Sequence, residues 1–278
     1  GRVFRTARSM GMRCVAVYVD ADADSPFVAN ADEAVRLTGL PTSPSSLAWS
    51  PDGRSIAYTM LVKDDGPSFG SAPKNKPEGA KWAEPLEVHD LLAYRADGEG
   101  YLEPGFEKIF VVPASGGSPR QLTFGPYDGG PLSWSRDGRT LYFSANRKPD
   151  WEKDPVESEV HALDLTSGTV TALTDRGGPD SNPLVSPDGG KIAYLGFDDK
   201  LRAYENTQLY VMNRDGSGKR SLTGNWDYGI DAIQWGADGK SVYAQYDDHG
   251  ETKVARIGLD GAVRTAATGL SGGGLDRP

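Results

Sequence analysis

Cysteine is nearly absent: the 278 residues contain one, Cys14. A lone thiol cannot form an intrachain disulfide, so the chain is not a small disulfide-stapled scaffold. Histidine is almost as scarce, at three residues, which leaves little material for metal ligation or for a Ser-His-Asp centre. No apolar run approaches the roughly 18 residues that a membrane-crossing helix requires, and no segment has the layout of a secretory leader. Positive charge is short as well. Thirty Lys and Arg face 39 Asp and Glu, a net charge of −9, which is the wrong sign for nucleic-acid binding. These absences lead to three expectations: no nucleic-acid partner, no membrane partner and a cytoplasmic location. The chain opens Gly1-Arg2-Val3 without an initiator methionine, so the missing leader weighs little.

Glycine, at 35 residues, and proline, at 19, are plentiful, and 37% of residues are hydrophobic. Such a chain can bury a core while turning often. The turns recur in register. Trp49-Ser50-Pro51-Asp52-Gly53 returns as Trp134-Ser135-Arg136-Asp137-Gly138, as Val185-Ser186-Pro187-Asp188-Gly189 and as Trp235-Gly236-Ala237-Asp238-Gly239. Each Asp-Gly precedes an alternating apolar run, beginning at Ser55, Thr140, Lys191 and Ser241. Asp-Gly between two β-prone runs predicts a hairpin, because glycine accepts the positive φ that the turn needs. Third runs follow at Lys108–Val112, Glu159–Asp164, Gln208–Asn213 and Lys253–Leu259, and fourth runs end in Leu122-Thr123, Leu173-Thr174 and Leu222-Thr223.

The period is 51 residues from Asp137 to Asp188 and 50 from Asp188 to Asp238. The first interval, Asp52 to Asp137, is 85, one unit plus an insertion. Four strands repeating at about 40–50 residues define a propeller blade, and neighbouring blades must stack because one sheet cannot bury both faces alone. The expected fold is therefore mainly β: a partial β-propeller of four four-stranded blades, at 39–123, 124–174, 175–223 and 224–268, with the start of another before Pro278. A β-sandwich with recurring hairpins is the alternative, but sandwich strands do not repeat so closely in register. Trp49, Trp134 and Trp235 are expected to pack between blades. An isolated four-blade arc is expected to expose the outer faces of its first and last blades and to be weakly stable.

Residues 1–38 break the pattern and predict a short α/β segment. Residues 2–11 read as a helix with Gly11 as its C-cap. Cys14–Val19 reads as a buried parallel strand, Ala29–Asp32 as a polar break and Ala34–Leu37 as a second strand.

The search for chemistry yields little. Gly66-Pro67-Ser68-Phe69-Gly70 matches a nucleophile elbow in letters, but no hydrophobic strand and helix frame Ser68. His89, His161 and His249 fall in different units; His161 alternates within a strand as a structural side chain, and His249 sits in a polar hairpin. Asp20-Ala21-Asp22-Ala23-Asp24 opens like a calcium loop but has Ser25 where glycine is needed and Ala31 where a bidentate glutamate is needed. Gly216-Ser217-Gly218-Lys219 lacks the Walker spacing and reads as a hairpin turn. No catalytic residue, metal ligand or cofactor is therefore assigned. Arg95, Glu99, Arg147 and Trp151 are the candidate substrate-binding residues, polar or aromatic side chains in loops suited to peptide contacts. The competing reading has Arg95 paired with a nearby carboxylate and Trp151 packed on an edge.

The WSPDG-type repeat is shared by TolB-like and WD40-like propellers. The insertion narrows the choice: Tyr94-Arg95-Ala96-Asp97-Gly98-Glu99-Gly100-Tyr101 resembles a segment in the first blades of acylaminoacyl-peptidase-like members of the prolyl oligopeptidase family. Phe143-Ser144-Ala145-Asn146-Arg147, Glu157-Ser158-Glu159-Val160, Leu209–Gly216 and Tyr246–Gly250 are similar to further stretches of that family. The resemblance, over about residues 37–278, implies the gating propeller of a serine peptidase for short peptides, whose Ser-Asp-His triad lies on an α/β-hydrolase domain not seen here. Arg5-Thr6-Ala7-Arg8, Val15-Ala16-Val17-Tyr18, Asp20–Ala23 and Ala31–Arg36 resemble the N-terminal region of biotin carboxylases, without ATP-grasp lysines, metal ligands or glycine-rich loop. Leu37-Thr38 precedes Asp52 by the blade interval, 14 residues from Thr38, which points to a fusion at that joint. A stand-alone TolB-like interaction propeller and a carboxylase-fusion fragment are the remaining readings.

Overall fold

The computed structural model describes residues 2–19, 22–37, 40, 42–64, 77–81 and 88–270. Helix α1 (Arg2–Ser9) ends two residues before the expected Gly11, whose φ of 74° closes the turn and whose amide donates to the Arg8 carbonyl at 2.9 Å. Strand β1 (Val15–Tyr18) leads to α2 (Pro26–Ala29) and to β2 (Glu33–Arg36). The sequence reading missed α2. Its signal was Pro26 at the first turn, where the fixed φ suits a helix start and no amide is lost. Strands β1 and β2 pair in parallel, Val15 opposite Glu33 through Tyr18 opposite Arg36.

Four antiparallel sheets follow, each with its strands in chain order. The first holds β3 (Pro44–Trp49) and β4 (Ser55–Lys63), then, beyond a small hairpin of β5 (Arg95–Ala96) and β6 (Gly100–Tyr101), β7 (Gly105–Pro113) and β8 (Arg120–Gln121). The insertion leaves this ladder unbroken: β4 and β7 pair from Ser55 opposite Pro113 to Lys63 opposite Gly105. The second blade holds β9 (Leu132–Trp134), β10 (Thr140–Ala145), β11 (Glu159–Asp164) and β12 (Val170–Ala172). The third holds β13 (Asp180–Val185), β14 (Lys191–Gly196), β15 (Gln208–Asn213) and β16 (Arg220–Ser221). The fourth holds β17 (Ile230–Trp235), β18 (Ser241–Asp248), β19 (Glu251–Gly258) and β20 (Val263–Leu270). The chain is thus mainly β, a run of four propeller-type blades. Among the described residues no helix is long and apolar enough to cross a membrane.

The repeated motif now has a physical reason. In blade 1 the Ser50 hydroxyl donates to Asp52 Oδ1 at 2.6 Å, and Ser50 Oγ accepts the Ser55 amide at 2.9 Å. Asp52 Oδ1 also accepts the Arg54 amide at 3.0 Å. Ser135 with Asp137 and Ser186 with Asp188 repeat the bracket. Hydroxyl and amide donation holds all three carboxyls below the usual aspartate range. Blade 4 has Gly236 in the serine position, and a Cβ there would approach Ser241 Oγ at 3.0 Å and Asp238 Oδ1 at 3.1 Å. Ser241 instead accepts from Arg256 Nε at 3.0 Å, and Arg256 pairs with Asp238 at 3.3 Å.

The fourth runs were expected to end in Leu-Thr, yet their paired strands stop before it at Gln121, Ala172 and Ser221. The threonine hydroxyl takes over the role of a strand carbonyl. Leu222 N donates to Leu209 O at 2.8 Å, while Leu209 N donates to Thr223 Oγ1 at 2.9 Å. Thr123 serves Ile109 and Thr174 serves Val160 in the same way, at 2.9 and 2.8 Å. All three threonines are buried. Thr223→Val, which keeps the shape and removes the acceptor, is expected to cost about 1–3 kcal/mol by orphaning the Leu209 amide. Thr223→Ser should retain most of that. Urea unfolding and faster amide exchange at Leu209 in the valine variant alone check the assignment.

Alternation sends successive side chains of each blade toward opposite neighbours. Ala57 and Ile109 of blade 1 cluster with Trp134, Leu141, Phe143 and Leu163 of blade 2. Tyr142 and Val160 of blade 2 meet Ile192, Tyr194 and Met212 of blade 3. Ala193, Leu195, Leu209 and Val211 of blade 3 meet Trp235, Val242, Ala244 and Ile257 of blade 4. Two tryptophans tie the first strands together: Trp134 Nε1 donates to Ala48 O at 3.0 Å and Trp235 Nε1 to Leu184 O at 2.8 Å. Trp49 departs from the expectation. It is 39% exposed, because no earlier first strand offers it a carbonyl among the described residues. The outer face of blade 1, expected to be bare, is covered: Val15, Val17, Val35 and Leu37 pack on Ile56, Tyr58, Met60 and Phe110.

Candidate functional site

The Asp-Gly turns occupy one end of the blades. The long connections between second and third strands and the linkers between blades occupy the other. At that second end a cleft of about 520 Å³ opens between the first three blades. Glu107, Asp128 and Glu157 supply carboxylates to it, and Ser45, Thr59, Ser144, Ser158 and Ser181 supply hydroxyls. The linker carrying Asp128 is clamped on both sides. Asp128 Oδ1 accepts the Glu107 amide at 2.7 Å, Gly129 N donates to Glu107 O at 3.0 Å, and Gly130 N donates to Ser144 O at 3.0 Å. Lys108 braces the same linker from beneath, donating to the Gly125 and Tyr127 carbonyls at 2.6 and 2.5 Å. It is 5% exposed, and burial draws its pKa down to about 8.

Beside the cleft, a buried charge cluster joins blades 2 and 3. Glu157 Oε2 accepts the Gly178 amide at 3.0 Å and Oε1 lies 3.1 Å from Lys148 Nζ. Asp180 pairs with Arg176, whose guanidinium lies over the Tyr210 ring at 4.0 Å and reaches Asp198 at 3.4 Å. Burial pushes the Asp180 carboxyl up to about 6 despite that arginine. Burial likewise raises Glu159 to about 7, with the charges of Asp180 and Glu157 adding to it. Gly196 is required here, since a Cβ on it would overlap Pro179 O and the Arg176–Asp180 pair. His161, stacked on Phe143 with its Nδ1 2.9 Å from Glu159 O, is held neutral by burial at about 4.

The four sequence-named candidates do not converge. Arg95 and Glu99 lie on the exposed β5–β6 hairpin, Arg95 opposite Tyr101. Neither makes a side-chain ion pair among the described residues, so the carboxylate partner anticipated for Arg95 is not formed there. Arg147 and Trp151 belong to the β10–β11 connection, which borders the cleft through Asn146 and Pro155. Arg147 sits over the Tyr127 ring at 4.8 Å, and Trp151 packs edge-to-face on Phe106 at 5.7 Å. None of the four lines the cleft itself. Ser68 lies outside the described residues, as does Asp20 of the calcium-like loop. His249 pairs with Asp248 but is 92% exposed, and no hydroxyl bonds to it among the described residues.

The acids that line the site were missed because they are single residues scattered over strand β7 (Glu107), the linker between blades 1 and 2 (Asp128) and the β10–β11 connection (Glu157). One signal was present: Asp128 precedes Asp137 by nine residues, and Asp180 precedes Asp188 by eight. An acid therefore recurs just before the first strand of blade 2 and at the first residue of that of blade 3. Rich in acceptors and lacking a nucleophile paired with a base among the described residues, the cleft has the chemistry to accept hydrogen bonds from ammonium groups or amides, chiefly at Glu107 and Asp128 since Glu157 is already paired with Lys148 and the Gly178 amide.

Comparisons with known proteins agree with this architecture. The dipeptidyl peptidase IV N-terminal region matches residues 74–193, and the biotin carboxylase N-terminal domain matches residues 1–50. Dipeptidyl-peptidase 5 of Porphyromonas gingivalis is 26% identical over 242 residues, 80% of this chain and 33% of that protein. The peptidase YuxL of Bacillus subtilis is 35% identical over 114 residues, 41% of this chain and 17% of that protein. The chain thus spans a third or less of the length of these relatives. Among solved structures, the acylaminoacyl peptidase of Pyrococcus horikoshii superposes with a TM-score of 0.58 at 15% identity, over 81% of this chain and 32% of that one. A putative TolB from Agrobacterium tumefaciens superposes at 0.51 with 22% identity, over 84% of this chain and 83% of that one. The blades have the fold of these propellers. By family match and relatives the blades are similar to the N-terminal propeller of prolyl-oligopeptidase-family peptidases, and the segment before them to the biotin carboxylase N-terminal domain; the solved neighbours share the fold.

Proposed function

We propose that the blades form the substrate-gating portion of a prolyl-oligopeptidase-family serine peptidase acting on short peptides, with the catalytic α/β-hydrolase domain not among these 278 residues. The observation that carries this reading is the similarity to dipeptidyl-peptidase 5 along 80% of the chain. The acceptor-rich cleft at the loop end supports it, since it offers carboxylates to a peptide ammonium group. Arg147 and Trp151, on the connection bordering the cleft, are the sequence-named residues best placed to touch a peptide; Arg95 and Glu99 would do so only from the inserted hairpin. The lone Cys14 suits a cytoplasmic setting for this role.

Two measurements on the chain test the proposal. Incubated with dipeptidyl- and acylaminoacyl-nitroanilides, it should release no nitroaniline; turnover lost in Ser68→Ala would overturn the reading. In NMR titrations, short peptides should shift the amides of Ser144, Asn146 and Ser181, whereas a folded protein should not. The converse pattern would favour a TolB-like interaction propeller, a reading supported by the TolB superposition that covers most of both chains.

A further inference from the structure

Every interface between blades has the same construction. The apolar face of one blade is the seat, and the blade before it supplies the filling, including the leucine of its Leu-Thr end. Leu122 sits in the cluster of blade 2 and Leu222 in that of blade 4. Each leucine amide donates to a third-strand carbonyl of its own blade, Ile109 and Leu209. The seat of blade 1 is built alike, from Ile56, Tyr58, Met60, Phe110 and Val112. It has no preceding blade among the described residues, yet it is filled.

The filling is the carboxylase-like segment. Leu37, 1% exposed, stands in the leucine position, and its amide donates to Tyr18 O at 2.8 Å, as Leu222 does to Leu209. Val17 and Val35, opposite one another in the β1–β2 pair, complete the cover. A parallel two-stranded sheet thus reproduces the last two strands of an antiparallel blade. Only the side chains it projects and one hydrogen bond need to agree, and they do.

We propose that this segment is an intramolecular plug: a surrogate half-blade that occupies the seat of blade 1 and prevents a second copy of the chain from docking there. The occupant it excludes is the outward face of blade 4, which no element covers among the described residues. On that face Tyr243 is 39% exposed and Val254, paired opposite Gln245, is only partly covered. Seat and open face lie on different parts of one molecule, so their union is head-to-tail and does not close on itself as a symmetric dimer would. An uncovered seat of this kind is an aggregation hazard, and the plug removes it.

Sedimentation velocity over a range of concentrations tests this on the full chain, on a deletion of residues 1–36, and on a Val17→Asp, Val35→Asp double variant. The full chain should stay monomeric. Both variants should shift from monomer toward dimers and longer species as concentration rises and should bind an apolar dye that the full chain does not. Adding Val254→Asp should return them to monomer. Variants that remain monomeric without dye uptake overturn the proposal, as does association untouched by Val254→Asp. Loss of the β-sheet circular dichroism in both variants also overturns it, because a plug leaves the blades folded when withdrawn.

Discussion

Trp235→Ala is expected to destabilise the chain by about 3–5 kcal/mol, at the upper end for a large-to-small core change. The indole is 5% exposed at the centre of the largest apolar cluster and also donates to Leu184 O at 2.8 Å, so the substitution removes packing and a cross-blade bond together. Trp235→Phe separates the two losses. It should keep most of the packing and cost about 1–2 kcal/mol, much of it from the unpaired carbonyl. Trp49→Ala is the internal control. With the same motif position but 39% exposure and no indole bond among the described residues, it should cost less than about 1 kcal/mol. Urea midpoints for the three variants, with amide exchange along β17 and β13, measure the series. Equal penalties at Trp49 and Trp235 would mean that the cross-blade carbonyl contact does not stabilise the stack.

The contrast between those tryptophans also shows what the sequence can and cannot convey. The Asp-Gly hairpins and the alternating second strands are local chemistry, so four blades were legible, and Glu159–Asp164 and Gln208–Asn213 were placed to the residue. The environment of a repeated residue is not local. Trp49, Trp134 and Trp235 look equivalent until it is known whether a first strand precedes them. The same limit applies to Thr123, Thr174 and Thr223: their regular spacing was visible, but a hydroxyl acting as a ladder acceptor becomes evident only when the third strand lies alongside. It applies to the N-terminal segment too, where β1 and β2 were read correctly as strands while their seat on blade 1 was not foreseen. The cleft was least legible. Glu107 comes from strand β7, Asp128 from the linker between blades 1 and 2 and Glu157 from the β10–β11 connection, and no local pattern marks any of them as facing a cleft, whereas Arg95 and Glu99 were chosen from the inserted segment and lie on a hairpin away from the cleft walls.

The acids joining blades 2 and 3 make the stability of that interface depend on pH in a direction that can be worked out. Asp180 titrates at about 6 in the fold against an ordinary 3.8, and Glu159 at about 7 against 4.5. Both folded values are raised, so the fold binds more protons than the unfolded chain across roughly pH 4–7, and these two groups lose stabilisation as pH rises through that window. His161 opposes them: its folded value of about 4 lies below 6.5, so its contribution grows with pH between those values. Arg176 is what makes an ionised Asp180 tolerable. Arg176→Met preserves much of the packing on Tyr210 but leaves the carboxylate, 1% exposed, without its cation. The expected penalty is about 3–5 kcal/mol at pH 8, the cost of a buried charge stripped of its partner. Near pH 5, below the folded value, Asp180 is largely protonated in both proteins, and the penalty should fall to about 1 kcal/mol, the lost hydrogen bonds and stacking alone. Adding Asp180→Asn should restore most of the stability at pH 8 and little at pH 5, because the amide carries no charge to strand. Urea unfolding of the two single variants and the double variant at both pH values completes the cycle. A penalty for Arg176→Met that is the same at pH 5 and pH 8 would show that the arginine acts through packing and not through the charge of Asp180.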